Sequence, residues 1–222
     1  TTGGDTTTAP SADHADRHNQ TLVRVVNAIP GGPAVDLTAG DRPLFTAVEF
    51  KTVTPYEAVE DNRPRFKLTT AGDTTASLAE NAELVMDGQY YTVVAMTDDD
   101  GKAVQLQPMR DDLTPANPAK ARIRIVNAAR GSDDVDVKLE SASETLFDDV
   151  GFEEEAGFKE IDPATVTLIV TGQDSDRVLL RVPALDLKAG QSVTLVLTHP
   201  SKGSTRLEAI KVVDELKALS GT

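Results

Sequence analysis

The sequence predicts an all-β chain of two tandem antiparallel β-sandwich domains behind a flexible N-terminal tail. Three observations carry this prediction. First, the chain repeats itself: Arg24-Val25-Val26-Asn27-Ala28 returns as Arg124-Ile125-Val126-Asn127-Ala128, and Val35-Asp36-Leu37 returns as Val135-Asp136-Val137, both at an offset of 100. After two inserted residues Leu44-Phe45 aligns with Leu146-Phe147, Phe50 with Phe152, and Tyr56 with Phe158. Further on, Tyr91-Thr92-Val93-Val94 answers Val193-Thr194-Leu195-Val196, each behind a Gly-Gln turn. A period this long fits copies of a whole domain and not the short period of a solenoid. Second, apolar residues alternate: Val23 and Val25 are interleaved with Arg24, and Ile123 and Ile125 with Arg122 and Arg124. That period of two places the aliphatics on one face and Arg on the other, as in a half-buried strand. Third, β-rich runs are separated by turn chemistry with no sustained helical period between them.

Taken in order, residues 1–20 hold five Thr and, as apolar residues, only Ala, too little to order a segment, so they predict a disordered tail or tether. The first domain is expected over 21–114, with strands at 66–69, 90–96 and 104–106 among others. Its turns are Pro30-Gly31-Gly32, Ala39-Gly40-Asp41 and Asp99-Asp100-Gly101. Two prolines, Pro115 and Pro118, mark residues 115–119 as a short, extended linker. The second domain is expected over 120–222, with strands at 166–171, 178–182 and 192–198 and a turn at Lys188-Ala189-Gly190-Gln191. Single helical turns are expected at 80–84 and 213–219. The number and spacing of the strands in each copy indicate a sandwich or barrel.

Composition removes several function classes. The 222 residues carry 22 basic and 36 acidic side chains, a net charge of -14, which opposes nucleic acid and anionic membrane surfaces as partners. Without Cys there are no disulfides, thiolate metal sites or thiol nucleophiles, and without Trp there is no large aromatic ligand platform. No apolar run approaches the roughly 18–20 residues of a membrane helix. The Thr at position 1, the Thr-rich start and the lack of Cys together lead to the expectation of a mature exported protein, with a lipid-bearing Cys upstream of Thr1 left open.

With these residues in view, the run Val23-Arg24-Val25-Val26-Asn27-Ala28, the Pro/Gly turn, Ala34-Val35-Asp36, Leu44-Phe45, Phe50 and Thr54-Pro55-Tyr56 resembles the family called domain of unknown function 4397. The second copy resembles it through residues 123–128, Val135-Asp136, Phe152 and Phe158, with Gly157-Phe158 replacing the expected Pro-Tyr. The resemblance implies secreted or envelope-associated proteins with immunoglobulin-like folds, often in tandem, and no assigned catalytic residues.

The candidate site residues are few. Asn27, Asp36, Asn127 and Asp136 recur at strand ends and loops, where Asn and Asp bond to backbone groups that otherwise lack partners, and a structural turn network is expected of them. Arg24 and Arg124 are expected to pair with Asp36 and Asp136 on an outward face, each pair contributing about 0.2–1 kcal/mol. Asp98-Asp99-Asp100 are weak candidates for calcium, since loop carboxylates suit that ion, but their spacing does not match a calcium loop. Other acidic pairs, Asp111-Asp112, Asp133-Asp134 and Asp148-Asp149, and the run Glu153-Glu154-Glu155 are expected to be solvated loops. Glu153-Glu154-Glu155 aligns with Lys51-Thr52-Val53, so the two copies are expected to present different surfaces. His14 and His18 fall in the tail and His199 in a loop, and none belongs to a catalytic motif. No cofactor is expected beyond the calcium alternative. These features lead to the expectation of a non-enzymatic interaction or structural module with a protein partner in a cell-surface or envelope assembly. The alternatives are a protein that binds calcium or polysaccharide, or a filament subunit.

Overall fold

The structure, a computed structural model, describes residues 21–60, 63–81, 89–98, 101–114, 117–131, 134–173, 175 and 177–215. The expected tail, with His14 and His18, lies outside them, as do Asp99, Asp100, Asp133 and Pro115. The described residues form sixteen strands and no helix. The chain divides into two compact units that part between Asp112 and Leu113.

In the first unit the strands are β1 (Thr21–Asn27), β2 (Val35–Ala39), β3 (Arg42–Val48), β4 (Glu57–Val59), β5 (Phe66–Thr70), β6 (Ser77–Asn81), β7 (Tyr90–Thr97) and β8 (Val104–Asp111). They form two four-stranded sheets, ordered β4-β1-β7-β8 and β3-β2-β5-β6. The second unit continues with β9 (Ala121–Asn127), β10 (Val135–Leu139), β11 (Thr145–Val150), β12 (Glu155–Ile161), β13 (Ala164–Gly172), β14 (Val178–Leu187), β15 (Gln191–Thr198) and β16 (Glu208–Glu215). Its sheets, β12-β9-β15-β16 and β11-β10-β13-β14, reproduce the first unit strand for strand. Identical connectivity in both units is the structural counterpart of the repeated sequence.

Each unit is a sandwich with its own core. Val23, Val25, Val35, Leu37, Phe66, Leu68 and Val93 meet between the sheets of the first. Ile123, Ile125, Val135, Val137, Leu168, Val170 and Leu195 do so in the second. Burying an aliphatic or aromatic side chain of this size contributes about 1.5–3 kcal/mol, so these alternating positions hold the sheets together.

The structure departs from the sequence reading in several places. The sheets are mostly antiparallel, but β1 pairs parallel with β7 and β9 parallel with β15. All seven residues of β1 and of β9 are buried, so Arg24 and Arg124 do not lie on a solvated face. Strand alternation separates two faces; it does not say that the second is wet. The helical turns expected at 80–84 and 213–219 are strand where described: Glu80 and Asn81 pair with β5, and residues 213–215 pair with β15. Cross-strand pairing prevails there over a short local signal. Residues 115 and 116 of the expected linker lie outside the described residues; the described part turns at Asn117, which accepts Lys120 N through its carbonyl and Ala119 N through its side chain, as asparagine readily does.

Candidate functional site

The four turn-network residues occupy equivalent places in the two units. Asp36 stands opposite a bulge in β3, where the register slips between Val35 and Leu37. The bulge leaves an amide with no ladder partner, and Asp36 Oδ1 accepts it from Ala47 N at 2.7 Å. Asp36 Oδ2 also accepts Gly72 N at 2.9 Å, joining the β5–β6 turn to the bulge. Asp136 repeats the first contact on Asp149 N at 2.9 Å. Ala47 and Asp149 both have positive φ, 52° and 57°, a costly conformation that the carboxylate holds in place.

Asn27 joins the two sheets of its unit. Its Nδ2 donates to Val48 O at 2.9 Å and its Oδ1 accepts Ile29 N at 3.1 Å. Asn127 does the same with Val150 O and Ala129 N, both at 3.1 Å. The main-chain oxygens of Asn27 and Asn127 accept Lys51 N and Glu153 N at 2.8 Å. Lys51 and Glu153 are the next positive-φ pair, at 69° and 67°. The repeated Asn and Asp thus fix one strained corner, built twice.

Arg24 does not pair with Asp36. Its Nε donates to Thr92 Oγ1 at 2.7 Å, and Thr92 Oγ1 donates onward to Asp111 Oδ2 at 2.5 Å. Asp111 Oδ2 also accepts the Tyr56 hydroxyl at 2.8 Å and lies 3.5 Å from an Arg24 terminal nitrogen. The guanidinium carbon sits 4.5 Å from the Tyr56 ring centroid, and Tyr90 meets Tyr56 edge-on at 5.1 Å. Arg24 is fully buried and Asp111 and Thr92 are each 1 % exposed. Asp111 is therefore not the solvated loop acid that its neighbour Asp112 suggests.

The second unit repeats the arrangement with some changes: buried Asp214, opposite Ser192 on β15, stands where Asp111 stands opposite Tyr90 on β7. Arg124 Nε donates to Thr194 Oγ1 at 2.9 Å, and Arg124 Nη1 donates to Glu155 Oε1 of β12 at 2.8 Å. Phe158 stands where Tyr56 does and has no hydroxyl to give, and Arg124 and Arg122 lie 4.4 and 4.6 Å from its ring centroid. Glu155 thus lies on a strand and not in a loop, and though exposed it reaches the frame through Arg124. Sequence reasoning missed the Thr and acid partners. The available signal was that Thr92 and Thr194 recur with the arginines.

The acidic loops are placed as follows. Asp98 Oδ1 accepts Lys102 N at 2.9 Å and Ala103 N at 3.1 Å, closing the β7–β8 hairpin, so the described member of the calcium candidates caps a turn. Asp134, Asp148, Asp149 and Glu154 lie near one another in the second unit. Desolvation first, and then the charge of Asp134, hold the Asp149 carboxyl above its usual range. Among the described residues no group of three or more His, Asp or Glu is arranged to hold a metal ion, and no helix is long and apolar enough to cross a membrane.

The family described as domain of unknown function (DUF4397) matches residues 21–138, which is β1 through most of β10 and more than half of the chain. The chain belongs to the DUF4397 family. No curated protein matches it. Similar solved structures include proteins from Bacteroides ovatus and Bacteroides uniformis, each named provisionally as a cell adhesion protein. They are 11% and 12% identical, cover 89% of this chain and 98% of their own, and give TM-scores of 0.29 and 0.28. Another is CBMbc, of family CBM26, from Eubacterium rectale Amy13K, solved with maltoheptaose. It is 13% identical over 91% of this chain and all of its own, with a TM-score of 0.24. At these TM-scores none of the three transfers a role to this DUF4397 chain.

Proposed function

We propose that this DUF4397 protein is a non-enzymatic interaction module, exported and acting in a cell-surface or envelope assembly through its loops. One observation carries the reading: the two copies keep their frame residues and change their exposed corner. Arg24, Asn27, Asp36 and Thr92 have identical counterparts that keep their main contacts, whereas exposed Glu153 and Glu154 replace Lys51 and Thr52 on the same strained backbone. Loops held on a rigid frame are where binding chemistry diverges. Location rests on the lack of Cys and on what the family resemblance implies.

The sheet edges favour docking by loops over strand addition. Pro43 and a bulge interrupt β3, Pro108 lies in β8, a bulge at Asp149 interrupts β11, and Pro183 with Ala184 at φ 52° interrupts β14. In β16, Lys211 pairs with Leu195 and so shares its core-side face. Proline, bulges and inward lysines are the devices that keep sheet edges from pairing with other chains, which also weighs against a filament built by strand exchange.

Crosslinking of tagged protein in native envelope material tests the proposal. A Glu153→Lys, Glu154→Lys variant, with wild-type circular dichroism, is expected to lose neighbours that the wild type captures. An unchanged set of neighbours, or consistent turnover in hydrolase screens, would refute the reading.

A further inference from the structure

His199 follows β15 directly, and its ring bridges two loops of the second unit. Nδ1 lies 2.8 Å from the main-chain oxygen of Arg206, and Nε2 lies 2.8 Å from that of Arg130. Both partners are carbonyl oxygens, which only accept. A neutral imidazole carries one N–H and one lone pair, so it satisfies one carbonyl and turns its lone pair on the other. The imidazolium donates to both. This follows from heavy-atom positions alone and does not depend on which nitrogen is assigned the hydrogen. Thr97 occupies the equivalent place in the first unit, so the bridge belongs to the second copy only.

We propose that His199 is a proton-operated latch that ties the loop after β9 to the loop between β15 and β16. Among the described residues, the charged side chains on the two joined segments are Arg130 and Asp134 on one, and Lys202, Arg206 and Glu208 on the other. What faces the two ring nitrogens directly is a pair of carbonyl oxygens. In acid the ring donates twice and the two loops move as one. When the ring loses one of its two protons as pH rises, one carbonyl is released and the loops part. The latch stands independently of the proposed function.

Amide hydrogen exchange on the full chain tests the latch, with wild type and His199→Gln compared at matched pH so that intrinsic exchange cancels. Between about pH 5 and 8, wild-type protection at residues 129–131 and 204–207 is expected to fall about tenfold relative to the variant, as for loss of one charge-assisted bond. Protection in β9 and β15 should not change. Nitrogen-15 spectra of the wild-type ring, which need no variant, should show two N–H groups in acid, with loop amide shifts moving as one is lost. Loop protection that follows the same pH course in both proteins, or a ring that titrates while the loop amides stay still, would overturn the proposal.

Discussion

Replacing Asp111 by Leu tests how the first unit keeps a charge inside its fold. Arg24 cannot relieve itself by losing its proton, and the substitution takes away the Asp111 carboxylate that its guanidinium faces. Breaking a buried pair from one side costs about 3–5 kcal/mol. For a domain of this size that lowers the melting midpoint by on the order of 20 °C. The double variant Asp111→Leu, Arg24→Met removes both charges and is expected to recover most of the loss, since an apolar replacement of a buried pair is often neutral. The assay is built into the sequence: there is no Trp, and all three tyrosines, Tyr56, Tyr90 and Tyr91, lie in the first unit. Tyrosine fluorescence in urea therefore follows that unit alone. A single variant that loses less than about 1 kcal/mol, the range of an exposed pair, or a double variant as weak as the single, would refute the reasoning.

Three further outcomes are expected. Asn27→Ala removes the side-chain bonds to Val48 O and Ile29 N and should lower first-unit stability by about 1–3 kcal/mol, read by the same fluorescence titration. Lys51→Gly relieves a residue held at φ 69° and should raise first-unit stability by up to about 1 kcal/mol after the added chain entropy of glycine, read as a higher urea midpoint. Asp149→Asn and Asp73→Asn should change stability with opposite pH courses. Asp149, raised by desolvation and by Asp134, favours folding only while protonated, and that contribution fades as pH rises through its folded value. Its Asn variant should therefore be the more stable protein at neutral pH and lose that advantage in acid. Asp73 is lowered, first by its side-chain hydrogen bond with Thr75 and then by the Thr75 and Ala76 amides, so it stabilises above the ordinary carboxylate value and fades in acid. Its Asn variant should be the weaker protein at neutral pH, with the gap closing in acid. Melting curves across about pH 3–7 decide both.

The β class and the duplication could be read from the sequence because both are written locally: Val23 and Val25 alternate, and Asn27 and Asn127 follow matching runs. Strands rich in β-branched residues, such as β7 and β15, were legible for the same reason. Thin edge strands such as β3, β6 and β12 were harder, because exposed edges mix charge with apolar residues and keep little alternation. Tertiary pairing left no local trace. Nothing near Arg24 announces that its acid lies on β8, and nothing near Arg124 announces an acid on β12. The roles of Asn27 and Asp36 could be anticipated as turn chemistry, but not the bulge that Asp36 caps, since a bulge is a relation between two strands.

The parallel seam in each unit also sets the order in which the molecule can be made. Arg24 and Thr92 touch across 68 positions of chain, and Arg124 and Thr194 across 70. β1 sits in the middle of its sheet, yet one of its two neighbours is nearly the last strand of the unit to emerge from a ribosome. Closing so long a loop is an entropic toll taken before the contacts repay it, which slows folding. A nascent unit stopped anywhere before Tyr90 keeps one flank of its opening strand bare, so each unit should seal late and all at once.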